Sequence, residues 1–220
     1  MMSDMNFEQA RFNMIEQQIR PWEVLDQQVL EVLAKIRREA FVPEQYRQLA
    51  FSDIRIPLGH GETMMNPNVE GRLLQALSVR PEDRILEIGT GSGYVTACLA
   101  TLGSSVLSVD IHADFTETAQ ARLQAAGLHN VQLQTGDAAR GWGNLRYHVI
   151  AITGALPVLD PLWRDLLTVG GRLFAVVGTA PIMEAILVTR VGEQEWTSES
   201  LFETELPCLL NSARPPVFTF

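Results

Sequence analysis

The order of apolar and polar residues divides the chain into two stretches with different periods. Over residues 1–80 apolar groups recur at helical spacing. Phe7, Met14 and Ile15 share one side of a first helix that should end before Pro21. Asp26 is placed to cap a second helix, along which Val29, Leu30, Leu33 and Ile36 form a stripe. Loop signals dominate from Ser52-Asp53 to Pro57-Leu58-Gly59-His60-Gly61. Pro67 then suits the first turn of a helix running through Leu73, Leu74 and Leu77. From Arg84 the pattern changes to short apolar runs alternating with helical ones. Strands are expected at Arg84–Ile88, Val106–Val109, Val131–Gln134, Tyr147–Ile152, Leu173–Val177 and Ala185–Val191, with a half-exposed strand over Glu195–Leu206. Helices are expected near Tyr94–Leu102, Ala113–Ala126 (stopping at Gly127) and Leu159–Leu167.

Such alternation implies right-handed crossovers and a doubly wound, mostly parallel α/β sheet. The connection within Ala185–Leu206 is too short for a crossover helix, so antiparallel strands are expected at one edge. The helical N-terminal part can pack on the same sheet. Residues 1–220 are therefore read as one domain: a helical cap and substrate loop over 1–80, an α/β core over 81–210 and a tail over 211–220.

A chain of 220 residues, 46% of them hydrophobic, can bury a full core without staples. Its 17 Lys and Arg against 26 Asp and Glu give a net charge of −9. Sequence-independent affinity for nucleic acid comes from cations that release counterions, so neither nucleic acid nor an anionic membrane surface is an expected partner. The longest apolar stretch, Val149 to Leu159, is interrupted by Thr153, Gly154 and Pro157 and is too short to span a bilayer. The opening segment carries Asp4 and Glu8 and reads as no secretory signal. Cys98 and Cys208 match no metal or redox spacing, and Cys98 reads as a buried thiol. A soluble protein of the reducing cytoplasm is expected. The oligomeric state is not legible.

The chemistry concentrates in Leu86-Glu87-Ile88-Gly89-Thr90-Gly91-Ser92-Gly93-Tyr94, where the first predicted strand of the sheet ends. Ligands of open α/β sheets bind beyond the carboxyl ends of the strands, and glycines let the backbone approach them closely. Asp110 closes the next strand about 20 residues after Gly89, a spacing that suits a carboxylate gripping both hydroxyls of a ribose. Dinucleotide sites prefer G-x-G-x-x-G, with a pyrophosphate on the helix N-terminus. Here the spacing is G-x-G-x-G, and Glu87 stands two residues before the first glycine. That carboxylate would repel a pyrophosphate but can receive, directly or through water, the ammonium of a methionine moiety. S-adenosyl-L-methionine has that ammonium and no phosphate, whereas a nicotinamide cofactor is disfavoured. Asp137, after the third strand, offers an acceptor for an adenine amino group. The bland alternative is a structural glycine turn flanked by unrelated surface acids.

Motif by motif, the chain resembles the protein-L-isoaspartate O-methyltransferases from about Arg11 to Leu210. Met14-Ile15-Glu16-Gln17-Gln18 is similar to the family's opening helix, and Arg38-Glu39-Ala40-Phe41-Val42-Pro43 to its R-x-x-F-V-P signature. Ile56-Pro57-Leu58-Gly59-His60-Gly61-Glu62-Thr63 resembles the loop P-L-P-I-G-x-G-Q-T. The glycine segment, Gly136-Asp137 and Val169-Gly170-Gly171-Arg172-Leu173 complete the set. The resemblance implies a Rossmann-like methyltransferase with S-adenosyl-L-methionine as donor and S-adenosyl-L-homocysteine as product. It implies cofactor contacts from Glu87, Gly89, Thr90, Gly91, Ser92, Gly93, Asp110, Ile111, Asp137 and Ala138. It further implies methylation of the free carboxylate of an isoaspartyl residue in a protein or peptide, a repair step.

Four departures accompany the resemblance. Met65 stands where the family has the serine beside the reacting methyl; Ala138 replaces the second glycine of G-D-G; Tyr147-His148 replaces F-D; and Asp110 replaces a glutamate. Asn211–Phe220 matches no familiar ending. A carboxylate acceptor is already ionised at neutral pH, so no general base is needed, and positioning carries the reaction. Thr63, Met65 and, at the rim, His60 are the acceptor-side candidates. A different carboxylate or small-molecule acceptor, facing an apolar pocket lined by Met64 and Met65, stays open, as does a non-catalytic adaptor that binds the cofactor.

The remaining features carry less. His60, His112, His129 and His148 show no ligand spacing, so no metal is expected. Ser92 lacks the nucleophile-elbow spacing. Trp142 and Trp163 are expected to pack on the sheet, and Arg37-Arg38 to be a solvated helix end. In the tail, Val217, Phe218 and Phe220 are apolar enough to be expected against the domain or a partner chain.

Overall fold

The alternating pattern from Arg84 onward forms a seven-stranded sheet in the computed structural model, in which residues 6–213 are described. The elements run in the expected order. Helix α1 (Phe7–Met14) continues through a π turn at Ile15–Ile19 and a 3-10 turn at Arg20–Trp22, and α2 (Gln27–Lys35) follows. A hairpin of β1 (Ile56–Gly59) and β2 (Glu62–Met64) leads into α3 (Pro67–Leu77). Then come β3 (Arg84–Ile88), α4 (Tyr94–Leu102), β4 (Ser105–Asp110), α5 (Ala113–Ala125), β5 (Val131–Thr135) and β6 (Tyr147–Leu156). The short α6 (Leu162–Asp165), β7 (Leu167–Thr179), β8 (Ile182–Arg190) and β9 (Trp196–Glu203) complete the series.

Strand order is β5-β4-β3-β6-β7-β8-β9. The first five of these run parallel, and β8 and β9 add antiparallel at one edge. The direction of winding reverses between β3 and β6, which leaves a crevice at their carboxyl ends. Consecutive residues of the central strands feed two cores, as a pleated strand buried on both faces must. Ile85, Val149, Ala151 and Phe174 pack against the N-terminal helices, α4 and α5. Leu86, Ile150, Ile152 and Leu173 pack on the other side with Trp163.

Local chemistry explains the well-matched ends. The Asp26 carboxylate accepts from the backbone N–H of Gln28 and Val29 and caps α2, and Pro67 opens α3. Four expectations are corrected. The stretch read as loop contains the β1–β2 hairpin, whose turn Gly59-His60-Gly61 lies wholly at positive φ. The helix expected over Leu159–Leu167 shrinks to Leu162–Asp165, because Leu167 already pairs with Tyr147 as the start of β7. Gly170-Gly171, which follow the expected helix, lie within β7 where the pairing register shifts between Tyr147 and Val149. A Cβ on Gly171 would lie 2.8 Å from the Thr168 carbonyl, so this irregularity requires glycine.

Arg38 is the fourth and largest correction. It is fully buried instead of solvated. Its guanidinium donates to both carboxylate oxygens of Glu70 (2.9 and 3.2 Å), to the carbonyls of Met65 (2.7 Å) and Ala50, and lies over the Tyr94 ring. Trp163 is buried in the sheet's second core and Trp142 is half-buried against it, as expected, and Cys98 is a buried free thiol. Among the described residues no helix is long and apolar enough to cross a membrane. Val217, Phe218 and Phe220 lie outside the described residues.

Candidate active site

Two adjoining clefts open at the carboxyl ends of β3, β4 and β6. The larger, about 610 Å³, is lined by Gly89, Gly91, Asp110, Ile111, Asp137 and Ala138 from the sheet side and by Leu58, Glu62 and Thr63 from the hairpin. The smaller, about 300 Å³, is lined by Gly89, Thr90, Gly91 and Ser92 on one side and Thr63, Met64, Met65 and Glu70 on the other. Apart from Glu87, Gly93 and His60, every candidate site residue lines one of the two. Thr63, Gly89 and Gly91 line both.

The loop after β3 owes its shape to Gly89, Gly91 and Gly93, which all have positive φ. There is also no room for side chains: a Cβ on Gly89 would run into the Thr153 hydroxyl, and one on Gly93 would lie 2.9 Å from Ala119. Asp110 is held by two backbone donors, Gly91 N–H to Oδ2 (2.8 Å) and His112 N–H to Oδ1 (2.9 Å). Each oxygen keeps a lone pair for the cleft. The Thr153 hydroxyl donates to the carbonyls of Ile88 (2.9 Å) and Gly89 (2.7 Å), tying β6 to the loop.

Glu87 lies behind this loop, fully buried, and lines neither cleft. Its Oε2 accepts from the hydroxyls of Thr96 and Ser108, and Ser108 in turn is 2.6 Å from the Thr90 hydroxyl. Oε1 is buried without a hydrogen-bond partner among the described residues. Burial pushes the Glu87 carboxyl up to about 7, against the pull of the Ser108 and Thr96 hydroxyls. Gly93 caps α4 beneath the loop.

On the hairpin side, the Thr63 hydroxyl is likewise buried with no partner among the described residues. Met65 is buried, its carbonyl fixed by Arg38. Burial raises the Glu70 carboxyl, and Arg38 draws it back down. Burial also raises Glu62, which faces Asp110 across the larger cleft. His60 is not brought into either cleft. Its Nε2 sits 3.0 Å from Asp114, whose carboxyl this contact lowers, and its ring stacks on His112 at 4.1 Å. Histidines that spacing left apart thus meet, and with Asp114 they offer three ligand atoms within 4.8 Å of one another. The two rings are within 11° of parallel, so their in-plane lone pairs do not converge on one ion.

Sequence reasoning missed several cleft residues: Thr153, Phe115, His112, Leu209 and Leu210. Only Thr153-Gly154 had left a trace, as the polar break in an otherwise apolar run. Leu209 and Leu210 arrive through a connection after β9: the Ala155 N–H donates to Pro207 and the Leu209 N–H to Ala155 (2.8 and 2.9 Å).

Comparison with known proteins adds to this geometry. The family model for Protein-L-isoaspartate(D-aspartate) O-methyltransferase matches residues 9–204. The chain is 34% identical over 207 residues to Protein-L-isoaspartate O-methyltransferase 1 of Rhodopseudomonas palustris, covering 93% of this chain and 84% of that one. It is 37% identical over 187 residues to a Protein-L-isoaspartate O-methyltransferase of Methanoculleus marisnigri, covering 84% and 85%. A Plasmodium falciparum structure described as a protein-L-isoaspartate O-methyltransferase in complex with S-adenosyl-L-homocysteine superposes with a TM-score of 0.79 at 16% identity, over 94% of this chain and 99% of that one. That likeness shows a shared fold.

Proposed function

We propose, from the premise that the chain belongs to the protein-L-isoaspartate(D-aspartate) O-methyltransferase family and is an S-adenosyl-L-methionine-dependent methyltransferase, that it methylates a free carboxylate on a protein or peptide, the isoaspartyl carboxylate first. The residues present fit the cofactor. The larger cleft carries acceptor carboxylates at Asp110 and Asp137, a glycine loop in which Gly89 and Gly93 leave no space for a Cβ, and a partnerless buried oxygen on Glu87 behind it. Asp110 would hold the ribose hydroxyls and Asp137 the adenine amino group, and Glu87, behind the loop, would brace it through Ser108 and Thr90 on the side of the ammonium. Gly89, Thr90, Gly91, Ser92, Gly93, Ile111 and Ala138 would shape the walls. The cofactor supplies, when bound, a methyl group made electrophilic by its sulfonium.

What the chain must supply is orientation of the acceptor and exclusion of water, since an ionised carboxylate needs no base. The observation that carries the acceptor assignment is the Thr63 hydroxyl, which is buried, has no partner among the described residues and lines both clefts. We assign it the hydrogen bond to the acceptor carboxylate that a serine at position 65 would otherwise give. Met65 fills the wall beside it, and His60 and Asp114 tie the hairpin to α5 at the rim. Thr63→Val tests this: it should lower methyl transfer to an isoaspartyl peptide on the order of 10²-fold, the worth of one well-placed donor, while S-adenosyl-L-homocysteine affinity stays unchanged. Unchanged transfer in Thr63→Val would refute the assignment.

A second reading, an acceptor other than the isoaspartyl carboxylate, draws on the Met64 and Met65 side of the smaller cleft. In either reading residues 1–220 act as one domain. Two free cysteines suit a reducing cytoplasm.

A further inference from the structure

The segment after β9 does more than end the sheet. Two hydrogen bonds pin Pro207–Leu209 to Ala155, and Leu209 leaves no room for a side chain on Gly154, where a Cβ would lie 2.6 Å from its Cδ2. This strap brings Leu209 and Leu210 into the wall of the larger cleft beside Asp137 and Ala138. The next residue, Asn211, takes a left-handed conformation (φ 62°), which asparagine tolerates better than most residues. Its side-chain amide donates to Asp137 Oδ2 at 2.8 Å. The other oxygen, Oδ1, accepts the backbone N–H of Ala139 at 3.0 Å. The carboxylate is therefore gripped from both sides, by its own loop and by the strap. Each oxygen keeps a lone pair, and an ionised carboxylate can only accept.

We propose that Asn211 is a positioning residue of the cofactor site: it orients the Asp137 carboxylate to accept an N–H from the edge of a 6-aminopurine, and so sets preference for adenine over a 6-oxopurine. A 6-oxo group presents an acceptor to an acceptor, which leaves both lone pairs facing each other. The inference rests on the assignment of Asp137 to adenine made above, and the test separates the two.

Calorimetry on the full chain compares S-adenosyl-L-homocysteine with its inosyl analogue, in which oxygen replaces the adenine amino group. The unaltered protein should prefer the adenosyl compound. Asn211→Ala should weaken adenosyl binding about three- to tenfold, the value of one hydrogen bond, and leave inosyl binding where it was, so that the preference narrows. Asp137→Ala should narrow the preference at least as far. If Asn211→Ala weakens both ligands equally, or neither, while Asp137→Ala narrows the preference, the Asn211 proposal is overturned and Asp137 keeps its role. If Asp137→Ala leaves the preference intact, the adenine assignment falls and takes the proposal with it.

Discussion

The two sides of the clefts are built by different means. On the sheet side, the loop after β3 is held by backbone geometry: three glycines at positive φ, two backbone N–H groups on Asp110 and a hydroxyl chain running from Thr90 through Ser108 to Glu87. On the hairpin side, β1 and β2 stand apart from the main sheet, and the Met65 backbone just after them is held by one buried side chain, Arg38. The sheet side presents the glycine segment and Asp110, whereas the hairpin side presents Thr63, Met64 and Met65 to the smaller cleft. A wall made of backbone tolerates few substitutions, because Gly89 and Gly93 have no room for a Cβ. A wall held by side chains, with Arg38 on the Met65 carbonyl and His60 on Asp114, can change its lining residues while those tethers keep its position. The difference predicts an unchanged cofactor and an isoaspartyl acceptor whose hydrogen bond comes from Thr63.

The largest expected effect breaks the tether. Arg38→Met leaves Glu70 buried without its partner and two carbonyls unpaired, and should cost about 3–5 kcal/mol of stability in urea unfolding. A loss under about 1 kcal/mol would show that the hairpin side does not hang on Arg38. The next concerns Glu87 on the sheet side. Its carboxyl titrates near 7 when folded and near 4.5 when unfolded, so its protonated form is favoured in the fold. That contribution is fully present below about pH 4.5 and is lost as pH rises through about 7, a loss of about 3 kcal/mol by linkage. Glu87→Gln should flatten this slope in denaturation curves taken at several pH values. An unaltered slope would mean that the fold does not shift the Glu87 carboxyl from its unfolded value.

Asp110→Ala should weaken S-adenosyl-L-homocysteine binding by about 1.5–3 kcal/mol, the range for hydrogen bonds to a charged group, with the fold retained. Calorimetry showing wild-type affinity would remove the ribose assignment. The smallest effect is expected from Met65→Ser. If Thr63 provides the hydroxyl, a serine at position 65 should speed isoaspartyl methylation by less than about tenfold, or about 1.4 kcal/mol of barrier. A larger gain would show that Thr63 does not supply the acceptor's hydrogen bond.

The same contrast explains what the sequence disclosed. The α/β alternation, the bounds of α4 and the spacing of Gly89, Gly91 and Asp110 are local in the chain, and so they are legible from period and turn chemistry. The hairpin is not, because Pro57 and the Gly59-His60-Gly61 turn carry loop signals whatever pairs across them. Arg38 reads as solvated until Glu70, far along the chain, is brought onto it. Leu209 and Leu210 reach the cleft, and Asn211 reaches Asp137, only because the segment after β9 crosses back to Ala155 of β6, a placement no local pattern encodes.

The most direct test of isoaspartyl methylation with Thr63 as the acceptor-side donor is labelled methyl transfer to paired peptides that differ only in an isoaspartyl or an aspartyl residue. The account predicts label in the isoaspartyl peptide alone, lost in Thr63→Val and little raised in Met65→Ser. Equal labelling of both peptides, or none in a protein that binds S-adenosyl-L-homocysteine, would contradict it.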